Sequence, residues 1–214
     1  TDNMSVLGLT LDYGPFGFLD AFDPRHICNH TDSSGRYSWQ RQPLIGHWNC
    51  TKLLQACLPL LGDDPEAAVA CAQPIADRYP AIYEDAMTTQ WRAKLGLRDA
   101  HDGDRTLIDR WLALLAASHA DFTRSWRLLA AVGSRDDEPG HVVRDQLLDV
   151  AAFDAWLPDY RARLRAEGSD DAERAARMNG VNPRVVLRNH LAQQAIAAAE
   201  GGDTRVLSAL AAAL

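Results

Sequence analysis

From about residue 49 onward, apolar residues recur at helical spacing. Leu107, Ile108, Trp111, Leu112, Leu114 and Leu115 follow i, i+3, i+4 and i+7, and Phe122, Trp126, Leu129 and Ala130 repeat the pattern one segment later. These spacings predict two helices that pack inward as a pair. An N-cap at Asn49 or Thr51 is expected to open this region ahead of Lys52-Leu53-Leu54-Gln55-Ala56-Cys57. Gly133 to Gly140 is a polar break. Asn182-Pro183 is expected to start a helix running to about Glu200, stopped by Gly201-Gly202. Asp203 or Thr204 then caps a last helix that ends in Ala-Ala-Ala-Leu.

The first 48 residues have a different character. Met4 to Leu11 is a β-leaning apolar run, and Gly8 is the natural place for two short strands to turn, which predicts a small hairpin. In Asp12-Tyr13-Gly14-Pro15-Phe16-Gly17-Phe18, two glycines and a proline rule out regular structure. Leu19 to about Asn49 is turn-rich, with Asp23-Pro24, Asp32-Ser33-Ser34-Gly35 and Gln42-Pro43 interrupting aromatic residues. A loop of that length inside a compact domain usually carries function. Neither an internal repeat nor a separate second domain is visible.

Composition narrows the picture. With 47% hydrophobic and 24% charged residues, the 214-residue chain is an ordinary soluble globular sequence with one core expected. A formal charge of −7 provides no basic footprint for nucleic acid or an anionic membrane surface, so neither is expected as a partner. No apolar run approaches the roughly 18 residues of a membrane span, and Thr1-Asp2-Asn3 lacks the start of a signal peptide, so a cytoplasmic location is expected. Cys28, Cys50, Cys57 and Cys71 are irregularly spaced and are read as buried free thiols, not a zinc site. In a cytoplasmic protein the sequons at Asn29 and Asn49 carry no meaning. Lys52 and Lys94 are outnumbered by arginines, which fits a GC-rich, bacterial genome.

The chemistry concentrates in Asp2-Asn3 and Asp12-Tyr13-Gly14. Magnesium takes oxygen ligands in an octahedral shell, commonly one or two carboxylates or amides completed by phosphates and water. An Asn oxygen and an Asp carboxylate at opposite ends of a tight hairpin can converge on one such ion. Protein kinases pair a catalytic-loop Asn with the Asp of an Asp-Phe-Gly turn in this way. Taken alone, Asp12-Tyr13-Gly14 is equally a structural turn.

The wider string is more specific. Thr1 to Ser5, Gly8 to Asp20, Ile27-Cys28-Asn29-His30-Thr31-Asp32 and Gly35-Arg36-Tyr37 resemble the selenoprotein O family of pseudokinase-like protein adenylyltransferases. Gln42-Pro43, Trp48-Asn49, Trp91 to Leu97, Asp121-Phe122-Thr123 and Asn182 to Gln193 extend the resemblance along nearly the whole chain. It implies an α+β, mostly α fold: a protein-kinase-like C-lobe with a short N-terminal β-hairpin followed by a helical bundle. Residues 1–48 would hold the metal-binding hairpin and activation-segment-like loops, and residues 49–214 the helical part. It also implies transfer of AMP from ATP, bound in reverse relative to kinases, to Ser, Thr or Tyr hydroxyls of proteins. Asn3 and Asp12 would ligate magnesium, with manganese as an alternative, and Asp12 would thereby hold the nucleotide. Asp2 would be the general base.

Other residues have simpler readings. Tyr13 and Phe16 anchor their loop, His30 and Arg36 order theirs, and Trp91, Trp111 and Trp126 sit at core spacing. The family's redox bond to Cys28 needs a distal cysteine that this sequence lacks. No glycine-rich loop, strand lysine or helix glutamate precedes the hairpin. The chain is therefore expected to be a piece without N-lobe or C-terminal tail, inactive alone. Two other classes stay open: a non-catalytic pseudokinase-type helical interaction domain, and a protein kinase moving the γ-phosphate, against which the downstream strings argue.

Overall fold

The computed structural model describes residues 4–9, 17, 19–138 and 140–214. These form two compact units, one drawn from Thr1–Phe16 and Pro24–Met87, the other from Gly17–Asp23 and Thr88–Leu214.

The first unit is built on α1 (Gln42–Cys57), α2 (Pro65–Asp77) and the beginning of α3 (Tyr79–Leu95). Helix α1 starts well before Asn49 and Thr51. Its lead-in is a 3-10 turn, Trp39–Arg41, and Pro43 occupies its first turn, where a missing N–H costs nothing. Asn49 and Thr51 sit in mid-helix instead of capping it, and the Thr51 hydroxyl donates back to the His47 carbonyl at 2.9 Å. Helix α2 begins at Pro65, capped by Asp64, whose carboxylate accepts from the Glu66 amide. The α1 backbone comes close to the start of α3 at Gly46, where a Cβ would lie 2.2 Å from the Tyr79 hydroxyl oxygen. His47 stacks on Tyr79 with centroids 5.1 Å apart.

The expected kinase-like fold with an N-terminal β-hairpin is not what the chain forms. Among the described residues there is no β-strand, and the single pairing is an isolated antiparallel bridge between Ala21 and Asp121. The described part of the predicted hairpin is a turn closed by Gly8 N–H on the Ser5 carbonyl at 3.2 Å. The Ser5 hydroxyl oxygen accepts from the Leu7 amide. Val6 and Leu7 remain 77% and 76% exposed, so no apolar face is covered that could stabilise a two-stranded ribbon.

The second unit holds the end of α3 with α4 (Asp104–Ala117), α5 (Phe122–Leu129), α6 (His141–Arg144), α7 (Val150–Ala166), α8 (Asp171–Val181), α9 (Asn189–Glu200) and α10 (Arg205–Ala213). Asp121, Asp149 and Asp170 cap α5, α7 and α8, each accepting a first-turn amide. A ladder of rings forms the core. Trp91 stacks on Trp126 at 5.3 Å, Trp126 meets Trp111 edge-on at 5.8 Å, Trp111 lies 4.8 Å from Trp156, and Trp156 stacks on Tyr160 at 4.8 Å. Trp91, Trp111 and Trp126 are thus core residues, as their spacing predicts. The principal neighbour of α4 is α7 and not α5. Trp156 of α7 donates its indole N–H to the Leu107 carbonyl of α4 at 3.0 Å.

Buried cations tie the helices to the connections. Arg161 reaches the carbonyls of Gly133, Asp136 and Glu138, holding the polar break after α5 in place. Arg174 donates to the Val132 carbonyl, Asp171 and the Tyr160 hydroxyl, which itself donates to Leu95 O at 2.8 Å. Burial pushes the Tyr160 phenol up to about 12, so it stays a neutral donor throughout the physiological range.

The expected helix start at Asn182 does not occur. Asn182 ends α8, fully buried, and its side-chain amide donates to the Lys94 carbonyl; helix begins again only at Asn189. Gly202 and Asp203 do terminate α9 and lead into α10, with Asp203 accepting from the Arg205 amide. Cys28, Cys50 and Cys57 are half-buried and Cys71 is exposed, so the free thiols are not core residues as expected. Among the described residues, no helix is long and apolar enough to cross a membrane.

Candidate functional site

Asp2, Asn3 and Asp12, with Tyr13 and Phe16, lie outside the described residues. What can be built is the support at either end of that stretch. Each end is held by residues that periodicity alone does not mark.

In the first unit, Met4 directly follows Asn3. Its sulfur accepts from the side-chain NH2 of Asn49 at 3.1 Å. The other end of the same amide, Asn49 Oδ1, is buried and has no hydrogen-bond partner. A buried acceptor left unsatisfied costs about 1–3 kcal/mol, so such atoms call for an explanation. The nearby loop is organised by Asp32, whose carboxylate accepts from the amides of Tyr37 and Arg36 and the Ser34 hydroxyl. The Tyr37 amide foremost holds the Asp32 carboxyl below the usual carboxylate range. Arg36 lies with its guanidinium 4.8 Å over the Trp48 ring, consistent with a loop-ordering role, whereas His30 is exposed.

In the second unit, the residues just beyond Phe18 are fixed by backbone and side chain together. Phe22 N–H donates to the Ala120 carbonyl at 2.8 Å and Phe122 N–H to the Asp20 carbonyl at 2.9 Å. The Phe22 ring, fully buried, stacks on Phe122 at 5.0 Å. Arg188 then bridges two acids, 2.8 Å from Asp20 and 2.9 Å from Asp121. Asp121 thus serves as α5 cap and as ion-pair partner. Three strings that carry the resemblance, ending at Asp20, beginning at Asp121 and containing Arg188, therefore meet in one place. Lys94 joins one more, the Trp91–Leu97 string, to the string that contains Arg188, with the Lys94 ammonium 3.3 Å from Asn182 Oδ1. Burial lowers the Lys94 pKa from its ordinary value.

Removing the Arg188 guanidinium should loosen this anchor without unfolding the unit. Both acids are partly exposed, so Arg188→Ala is expected to cost about 1 kcal/mol. Amide hydrogen exchange at Phe22 and Phe122 should accelerate selectively. Unchanged protection at both amides would show that the ion pairs contribute nothing to the anchor.

Among the described residues, no group of three or more His, Cys, Asp or Glu side chains is placed to hold a metal. The amide oxygen of Asn3 and the carboxylate of Asp12 are donors of the hard type magnesium prefers. Read from the sequence as a helix cap, Asn49 is instead a mid-helix residue whose side chain reaches Met4. The available signal is an asparagine within a stretch rich in helix formers.

The family model described as "Protein adenylyltransferase SelO" matches residues 1–214. The protein nucleotidyltransferase YdiU of Methylococcus capsulatus is 52% identical over 212 residues, covering 99% of this chain and 42% of that protein. The protein of the same name from Burkholderia pseudomallei strain K96243 is 51% identical over 223 residues, covering 100% of this chain and 43% of that protein. The chain spans less than half the length of these relatives. With the match running from the first residue to the last, the chain belongs to the SelO family of protein adenylyltransferases.

Proposed function

We propose that the full-length protein carrying this chain transfers AMP from ATP to Ser, Thr or Tyr hydroxyls of proteins in a magnesium-dependent reaction. The observation that supports this reading is the family match over residues 1–214 of a sequence that contains Asp2-Asn3 and Asp12-Tyr13-Gly14. Asn3 and Asp12 hold the cation, and Asp12 thereby orients the nucleotide phosphates. What a bound magnesium supplies is neutralisation of charge on the phosphate oxygens. Asp2 accepts the proton of the acceptor hydroxyl as its oxygen bonds to the α-phosphorus. The bond from that phosphorus to the bridging oxygen breaks, and pyrophosphate leaves.

The test is label transfer by the full-length protein from ATP labelled at the α- or the γ-phosphate. Protein-bound α-label is expected, falling about a hundredfold in Asp12→Ala, in line with the loss of one electrostatic stabiliser. Protein-bound γ-label would make the protein a kinase. Absence of label from either position would favour a non-catalytic interaction domain.

A further inference from the structure

Helix α1 turns a row of large side chains to solvent. We propose that Arg36, Trp48 and Lys52 form a docking site for an acidic protein segment that also carries apolar residues. The proposal goes beyond the reaction assigned above and does not depend on it.

The first observation is one of charge. Residues 33–62 contain no aspartate or glutamate, and Arg36, Arg41 and Lys52 give them three positive charges in a chain whose formal charge is −7. The acid at the edge of this stretch, Asp32, is turned inward, with its carboxylate accepting from the Arg36 and Tyr37 amides. The second observation is one of placement. Leu44, Trp48 and Lys52 follow one another at i, i+4 spacing along α1 and so share a face. Leu44 is 62% and Trp48 41% exposed, whereas the residue that α1 buries is Ile45. The Arg36 guanidinium lies 4.8 Å over the Trp48 ring, and the Lys52 ammonium is 5.7 Å from it. Among the described residues, neither cation pairs with a carboxylate, and Lys52 donates to the neutral Gln55 side chain at 3.0 Å. Arg144, Arg163 and Arg188, by contrast, each hold an aspartate.

These features select the occupant. Binding energy concentrates on tryptophan and arginine, and an indole held against cations offers apolar surface with positive charge beside it. A segment that lays an apolar side chain on Leu44 and Trp48 and brings carboxylates to Arg36 and Lys52 satisfies both. A polynucleotide fits less well, because three positive charges neutralise few phosphates and the chain as a whole repels them.

The experiment uses the full-length protein and the fluorescence anisotropy of a fluorescein-labelled peptide of repeated Glu-Glu-Leu, with the Gln-Gln-Leu peptide as control. The Glu peptide is expected to bind about tenfold more tightly than the Gln peptide at low ionic strength, and to lose that advantage at about 0.5 M salt. Arg36→Glu combined with Lys52→Glu should weaken it about tenfold, and Trp48→Ala by a similar factor. Oxidative labelling of the wild-type Trp48 indole, read by mass spectrometry, should fall when the Glu peptide is added, a readout that needs no substitution. Equal affinity for the two peptides, undiminished binding in both variants, or Trp48 labelling unmoved by the peptide overturns the proposal. So does a Trp48 that resists labelling in the free protein, which means that the rest of the protein or a second copy already covers this face. A single-stranded oligodeoxythymidine that binds more tightly than the Glu peptide reassigns the face to nucleic acid.

Discussion

Replacing Arg163 by alanine is expected to destabilise the second unit by about 3–5 kcal/mol, the usual cost of stranding buried charge. Arg163 sits between two acids that have almost no access to water: Asp104 at 2.6 Å and Glu167 at 3.1 Å, with side chains 2% and 0% exposed. Its remaining nitrogen donates to the Asp99 carbonyl at 2.6 Å, tying the α3–α4 connection to α7. Truncation removes one cation and leaves two carboxylates without a counter-charge. The unfolding temperature should fall by on the order of 10 °C. Arg163→Lys, a point charge without the planar fork, should recover only part of the loss. Adding Asp104→Asn to Arg163→Ala should be less harmful than the sum of the two changes, because one stranded charge disappears. A loss below about 1 kcal/mol for Arg163→Ala would place this cluster with ordinary surface pairs.

Gly96→Ala is expected to cost about 3 kcal/mol for a different reason, combining backbone strain with overpacking. Helix α3 ends in a reciprocal pair of hydrogen bonds, Gly96 N–H to the Ala93 carbonyl and Leu97 N–H to the Arg92 carbonyl. That stop requires the left-handed φ of +77° at Gly96. A Cβ there would also lie 2.7 Å from Arg174 Cγ and 2.8 Å from Met178 Cγ and Sδ. Both side chains are almost fully buried and have nowhere to move. Gly168 is the internal control: its φ is +60°, and a Cβ there would meet nothing within 4 Å, so Gly168→Ala should show the backbone cost alone. Equal unfolding temperatures for the two variants would refute the packing contribution.

Legibility in the sequence followed the range of the interaction. Trp91, Trp111 and Trp126 could be assigned to the core because helical periodicity is local, and Gly201-Gly202 marked a helix end because a left-handed stop needs glycine. The N-terminal run misled because a β-leaning composition forms strands only when a partner and a covering face exist, and among the described residues Val6 and Leu7 have neither. Gln42-Pro43 reads as an interruption, although proline in a first turn also begins helices, as it does in α1. Pro183 invited the opposite error: the burial of Asn182 against Lys94 keeps the following residues out of helix. The supports at Asn49 and Arg188 join residues 45 and 168 positions apart. No spacing rule reaches that far, and only the family resemblance singled out those stretches.

The ring ladder from Trp91 through Trp126, Trp111 and Trp156 to Tyr160 has an optical consequence. Indoles this close share their excited states, so their near-ultraviolet circular dichroism arises from the coupled array and not from single rings. All five rings belong to the second unit, while Trp39 and Trp48 belong to the first. The protein thus carries a built-in chromophore for one unit, whose signal vanishes when the rings separate, irrespective of what the other unit does.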